Sequence, residues 1–215
     1  IPTGDKIPPG ARLFTYPSAE AWGLIWAFNG PAPLFEVPGI PDADESSLAY
    51  ESHLRGLRPR PPWIAVSNGV DFQHLRALHG IPGAATPEVL EVSEYALEFA
   101  VDTPFYQQHG RITGTNTFAQ RLRIAGEDQF MLFTGTPISP EATVGHYVIG
   151  VPAAADGREA RLAGLHAFVQ KLFGEDALVL DTIRFRKGTL VASDRHLARF
   201  LHFVETFPAA APPAA

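Results

Sequence analysis

The stretch DGREARLAGLHAFVQKLFGEDALVLDTIR, residues 156–184, decides the fold of this chain. Its apolar side chains recur at helical spacing, which predicts one long helix with a buried stripe. Such a stripe must pack on another apolar surface, which the preceding segment can supply. The members of the stripe are Leu162, Leu165, Phe168, Val169, Leu172 and Phe173.

The segment before this helix has the pattern of an antiparallel sheet. Apolar and β-branched runs bounded by turn residues predict four strands, at 89–100, 111–124, 129–136 and 143–150. Gly126-Glu127-Asp128 is expected to form a tight turn between two of them. The fold class is therefore α+β, with a long helix laid across a curved antiparallel sheet.

The remaining segments are shorter or irregular. Prolines are dense in residues 1–62, which predicts extended chain, short strands and turns, with one strand at 21–28. Residues 64–80 are interpreted as helical, and Ser193 is expected to cap a last helix that runs to about Thr206. One domain is expected over 1–207, followed by an extended or disordered Pro/Ala tail at 208–215.

Composition excludes several classes of protein. The net charge is −6 and basic residues form no runs, which argues against nucleic acid and anionic membranes as partners. Without cysteine, the chain can form no disulfide, thiol nucleophile or cysteine-bound iron–sulfur cluster. No apolar run is long enough to span a membrane, and no export signal is evident, so a cytoplasmic location is the default expectation.

One pair of histidines lies in a context that suggests metal binding, Asn68-Gly69-Val70-Asp71-Phe72-Gln73-His74-Leu75-Arg76-Ala77-Leu78-His79-Gly80. Imidazole suits iron, zinc, copper and nickel, and Asp71 is spaced to hold the second ring nitrogen of His74. On an ideal helix, however, His74 and His79 are about 140° apart. They converge only if a π-bulge forms or the helix ends just before His79; otherwise both are ordinary helix residues.

A carboxylate in the long helix could complete such a site. At about 100° per residue, Asp176 falls in the middle of the apolar stripe, Glu175 at its edge and Asp181 on the opposite face. An inward carboxylate is costly unless it is paired or bound to metal, which singles out Asp176. The alternative is that Gly174 ends the helix and that Glu175 and Asp176 begin another as first-turn acids.

Together these residues resemble the catalytic domain of the Rieske non-haem iron oxygenases. Three places carry the resemblance: Ala-Trp-Gly-Leu-Ile-Trp-Ala-Phe-Asn-Gly at 21–30, the Asn/Glu-x-x-Asp-x-x-His-x-x-x-x-His motif at 68–79, and Gly-Glu-Asp-Ala-Leu-Val-Leu at 174–180. It implies a helix-grip fold of the Bet v1 and START type. It also implies that His74, His79 and Asp176 bind a mononuclear Fe(II), with Asp181 as the fallback carboxylate, and that Asn68 lies near the iron.

The resemblance also implies partners. Asp71 would connect His74 to the Rieske [2Fe–2S] cluster of a neighbouring subunit in a homotrimer, with electrons from NAD(P)H through a reductase or ferredoxin. O₂ would react with an aromatic or other apolar substrate, giving hydroxylation, a cis-diol or demethylation. The family's cluster has two Cys ligands and this chain has none, so we expect that the Rieske domain was removed or omitted, or that electrons arrive in trans.

Two other functions stay open on the sequence. A helix-grip cavity can hold a hydrophobic small molecule without metal or catalysis, as a binding module. The same ligands could also hold zinc in a hydrolase, although no general base stands beside the histidine pair.

Overall fold

The computed structural model describes residues 15–81, 84–183, 188 and 190–209. The chain divides into two units, one of residues 1–37 with 209–215 and one of residues 38–208. Most of the predicted Pro/Ala tail, residues 210–215, lies outside the described residues.

In the first unit, strands β1 (Ser18–Ala21) and β2 (Leu24–Ala27) form an antiparallel hairpin. Trp22 and Gly23 between them both have positive φ, 59° and 65°, which is the backbone of a tight hairpin turn. The strand predicted at 21–28 is therefore present but shorter, as β2, and Ala21 belongs to β1. Tryptophan seldom adopts positive φ, so its presence in the sequence does not predict a turn.

The second unit contains a seven-stranded sheet in which all neighbouring strands are antiparallel, as predicted. The order across the sheet is β3-β9-β8-β7-β6-β5-β4. The strands are β3 (Leu48–Arg58), β4 (Glu91–Val92), β5 (Ala96–Asp102), β6 (Tyr106–Thr113), β7 (Thr117–Ile124), β8 (Glu127–Ser139) and β9 (Ala142–Pro152).

The strand predicted at 89–100 is two antiparallel strands, β4 and β5. Two further predicted boundaries were wrong because positive-φ residues turn the chain. The strand predicted at 111–124 is two strands, β6 and β7, joined through Gly114 with φ of 62°. The turn before β8 uses Ala125 and Gly126 rather than 126–128. Strand β3 was not predicted, because the prolines around it point to irregular chain.

The helices are α1 (Pro62–Ser67), α2 (Phe72–Ala77), α3 (Arg158–Leu180) and α4 (Arg195–Thr206), with 3₁₀ turns at Glu45–Ser47 and Ala192–Asp194. The long helix is continuous through Gly174, so this glycine does not end it. The segment 64–80, interpreted as helical, contains α2 and most of α1. Asp194, not Ser193, stands at the start of α4, and its side chain makes no capping hydrogen bond.

Helix α3 packs its apolar stripe on β8 and β9. Leu162, Leu165 and Val169 are buried there with Met131 and Ile149, which confirms the predicted direction of the stripe. Phe168, by contrast, is 37% exposed, because it lies at the margin of the stripe. A second apolar cluster joins α1, α2 and α4 to strands β5, β6 and β7.

No helix among the described residues combines the length and the apolar composition that crossing a bilayer requires.

The continuity of α3 can be tested at Gly174. An alanine there meets no atom within 4 Å, and helical alanine is favoured over glycine, so Gly174→Ala should raise the free energy of unfolding by about 0.5–1 kcal/mol. Gly157 precedes α3 with φ of +62°, so Gly157→Ala should lower the free energy of unfolding by about 1–2 kcal/mol. Urea denaturation measures both, and destabilisation by Gly174→Ala would contradict a continuous helix.

Candidate metal centre

Three side chains converge in the second unit. One possible ligand atom from each of His74, His79 and Asp176 lies within 4.8 Å of the other two. The group is largely withdrawn from solvent, since the side chains of His79 and Asp176 are 1% and 12% exposed. Residues from two separate parts of the chain therefore form one cluster of metal-ligating types.

The two histidines come together because α2 ends between them. The helix stops at Ala77, and the backbone N–H groups of Leu78 and His79 both donate to the carbonyl of His74, at 2.8 and 3.3 Å. His79 therefore lies beyond the regular helix, and the separation of about 140° expected on a continuous helix does not apply. The two imidazole centroids are 5.1 Å apart.

Asp176 reaches the histidines from the buried face of α3. Its carboxylate accepts a hydrogen bond from the Asn68 amide at 3.0 Å and lies 3.2 Å from Nε2 of His79. Asp181, the fallback carboxylate, is the C-terminal cap of α3 and pairs instead with Arg58, at 3.3 Å, and with Arg60. Of the two carboxylates considered, the structure thus brings Asp176 to the histidine pair.

Both imidazoles are oriented through Nδ1. His79 Nδ1 donates to the Glu175 carboxylate at 2.7 Å, and His74 Nδ1 donates to the backbone carbonyl of Asp71. An Nδ1 that donates a proton leaves the Nε2 lone pair for a metal. The hydrogen bond from His79 also lowers the pKa of Glu175, with a smaller contribution from Lys171.

Asp71 was expected to hold the second ring nitrogen of His74. Its backbone carbonyl does so, while its carboxylate caps α2 by accepting a hydrogen bond from Gln73 N–H at 3.2 Å.

The donor set fits iron. Non-haem Fe(II) oxygenases bind the metal through two imidazoles and one carboxylate, and further coordination positions of the metal stay open. The ligand tautomers agree with this, because both rings direct Nδ1 away from the cluster and onto acceptors. A second group, Glu51, His53 and His166, also brings possible ligand atoms within 4.8 Å, but Glu51 is exposed.

A cavity of about 140 Å³ opens beside the cluster, and all three candidate ligands line it. Much of the remaining wall is apolar. Three arginines that sequence reasoning missed, Arg55, Arg58 and Arg60, also line it. Burial, followed by the charges of neighbouring arginines, lowers the pKa of both Arg55 and Arg60 to about 10. Their crowding on one short segment, residues 55–60, was the available signal.

Comparison with known proteins places this geometry in a recognised fold. The structure of NdmA from Pseudomonas putida CBB5, a QL mutant with theobromine, matches 94% of this chain with a TM-score of 0.74 at 16% identity. NdmB from the same organism matches 91% with a TM-score of 0.72, and dicamba monooxygenase bound to dicamba matches 96% with 0.72. The fold is that of Rieske oxygenase catalytic domains. The prediction of an α+β fold from the order of the elements, and the helix-grip architecture that the resemblance implied, are confirmed.

In sequence the similarity is more limited. Aminopyrrolnitrin oxygenase PrnD of Pseudomonas fluorescens is 33% identical over 89 residues, which are 38% of this chain and 23% of PrnD. No protein-family model matches the chain. The chain covers 63% of NdmA, 61% of NdmB and 73% of dicamba monooxygenase. These structural neighbours are Rieske non-haem iron oxygenases, which are oxidoreductases.

The sequence placed Glu175 at the edge of the apolar stripe of α3. Its hydrogen bond with His79 predicts that it affects the affinity of the site for Fe(II). Glu175→Gln removes the charge that stabilises the Nδ1-protonated ring and should weaken Fe(II) affinity by about 10-fold or more. Glu159→Gln, an exposed change in the first turn of the same helix, should leave affinity unchanged. Anaerobic Fe(II) titration compares the two, and equal affinities would show that Glu175 does not tune the site.

Proposed function

We propose that this chain is the catalytic domain of a terminal oxygenase. It would use a mononuclear non-haem Fe(II) and O₂ to hydroxylate, dihydroxylate or O-demethylate an aromatic or other apolar substrate, with electrons from a Rieske [2Fe–2S] centre. The observation that carries the proposal is the convergence of His74, His79 and Asp176 on the wall of a cavity, within a fold whose neighbours are oxygenases.

Each residue of the cluster has a defined task in this proposal. His74, His79 and Asp176 would hold the iron, which when bound would supply the binding and reduction of O₂. The Asn68 amide fixes one carboxylate oxygen of Asp176. Glu175 and the Asp71 carbonyl keep the imidazoles in the tautomer that offers Nε2. The apolar wall of the cavity would exclude water from the reacting substrate.

The cavity is large enough for a small substrate. About 150 Å³ is enough for one benzene ring in a protein interior, and this cavity measures about 140 Å³. NdmA and dicamba monooxygenase were solved with the small molecules caffeine and dicamba. The proposal includes a homotrimer and an NAD(P)H-dependent reductase or ferredoxin as donor of electrons.

Metal analysis tests the iron site directly. We expect about one iron per chain in the wild type after anaerobic loading, and loss of that iron in His74→Ala, because a pair of ligands does not replace the triad. His166→Ala, which disrupts only the second group of possible ligands, and Asp181→Asn should both retain iron.

Other results of the same measurement contradict the proposal in distinct ways. No metal in the wild type would favour the non-catalytic module that binds a hydrophobic molecule. Zinc in place of iron would favour the hydrolase. Loss of iron in Asp181→Asn, with a normal thermal transition, would move the carboxylate ligand to Asp181.

Asp71 is proposed to carry electrons toward His74 from the Rieske cluster of a neighbouring subunit. Asp71→Asn should keep α2 intact, since asparagine is an equally good N-cap, and should keep iron bound. Turnover with an intact Rieske partner should nevertheless fall by about tenfold or more, the usual effect of changing a side chain that supports a metal ligand. Unchanged single-turnover electron transfer in this variant would remove Asp71 from the route.

A further inference from the structure

Three cations line the wall of the cavity that contains the candidate iron ligands. Arg55, Arg58 and Arg60 all contribute to this wall, together with the aromatic rings of Phe118, Phe133 and Phe173. An apolar substrate alone gives no reason for three guanidinium groups at this place. Their charge is therefore the feature of the cavity that needs an explanation.

A bulge in β3 places two of these arginines on the same side. Residues three apart on a regular strand face opposite sides of the sheet, and Arg55 and Arg58 have that spacing. In β3, however, Leu54 pairs with His146 and Gly56 pairs with Gly145, so that Arg55 is an extra, unpaired residue. Gly56 has φ of +89°, which suits the bulge. Bulges of this kind re-aim side chains, and here Arg55 and Arg58 both reach the cavity.

The charges of the three arginines are only partly compensated. Asp181 pairs with Arg58 and Arg60, whereas the described residues offer Arg55 no carboxylate within salt-bridge distance. The guanidinium carbon of Arg55 instead lies 3.7 Å from the centre of the Phe173 ring. Among the described residues, Nε and Nη2 of both Arg55 and Arg60 are buried without a hydrogen-bond partner.

Such donors match an oxyanion, for example a carboxylate. Guanidinium nitrogens arranged as a fork bind carboxylates through two parallel hydrogen bonds, and a buried cation without a partner is unfavourable. Arg60 is 3% exposed, so a carboxylate in the cavity would reach it away from bulk water, where such bonds are strongest. The aromatic residues of the wall and a volume of about 140 Å³ leave room for a single ring.

We infer that the substrate is an aromatic monocarboxylate, whose carboxylate binds Arg55 and Arg60 while its ring lies against the aromatic wall beside the candidate iron ligands. This inference rests on the proposed function, because it names the substrate class of the same site. Arg55 is a substrate-binding residue in this assignment, and the bulge at Gly56 is the backbone feature that presents it.

Binding of two matched probes tests the inference without turnover. Benzoate and benzamide have nearly the same shape and differ in charge. In calorimetric titrations of the iron-loaded protein, benzoate should bind at least about tenfold more tightly than benzamide. Because this charge pair would be buried, raising the salt concentration should change the difference in affinity little. Equal affinities in the wild type overturn the inference, whatever the variants do.

Variants of single arginines test which positive charge makes benzoate bind more tightly than benzamide. Arg55→Gln should weaken benzoate binding by at least about tenfold and leave benzamide binding unchanged. Arg55→Lys should keep part of the preference, and Arg111→Gln, an exposed change on β6, should keep all of it. If a folded Arg55→Gln protein prefers benzoate to benzamide as strongly as the wild type does, Arg55 does not bind the carboxylate.

The iron content of the same samples separates this inference from the proposed function. Protein that binds about one iron per chain but shows no preference for benzoate contradicts the substrate class alone. Protein that binds no iron contradicts the proposed function, and with it the assignment of benzoate-like molecules as substrates.

Discussion

The burial of Asp176 on the apolar face of α3 is the constraint on which the site depends. An ionised carboxylate among aliphatic side chains is unfavourable unless hydrogen bonds or opposite charges surround it. The Asn68 amide donates a hydrogen bond to one of its oxygens, which also lies 3.2 Å from Nε2 of His79, and both residues come from the segment of α1 and α2. The carboxylate therefore ties two short helices, which have little stability of their own, to the longest helix of the fold.

The neighbouring acid extends this arrangement. Adjacent residues on a helix differ by about 100° in direction, so Glu175 and Asp176 leave α3 along different lines. They meet the same imidazole from two sides: Glu175 accepts from Nδ1 of His79, and Asp176 lies beside Nε2. Glu175 thus fixes the tautomer and the orientation of the ring. Because this tautomer leaves a lone pair on Nε2, a metal ion between Nε2 and the Asp176 carboxylate would satisfy both atoms.

Sequence reasoning succeeded where a local pattern reports a local structure. The stripe of α3 follows from helical periodicity, and it identified Asp176 as the inward carboxylate. It failed where conformation depends on distant contacts. Nothing near His79 indicates that Glu175, 96 residues away, accepts its Nδ1 proton. Arg55 was missed because its direction depends on the pairing of β3 with β9, which a single strand does not encode.

Charge balance connects these parts of the structure. Asp176 faces the histidines and Asp181 pairs with Arg58 and Arg60, so neither carboxylate forms a salt bridge with Arg55, although the charge of Asp176 acts on Arg55 from a longer distance. A divalent metal at the histidines would add positive charge to a cavity that already contains a cation held mainly by an aromatic ring. Such cation–π contacts contribute about 0.5–2 kcal/mol, less than the several kcal/mol that burying an ion costs. A neutral ligand would leave that imbalance in place, whereas an anionic one removes it, and so the wall of the cavity selects for charge as well as for shape.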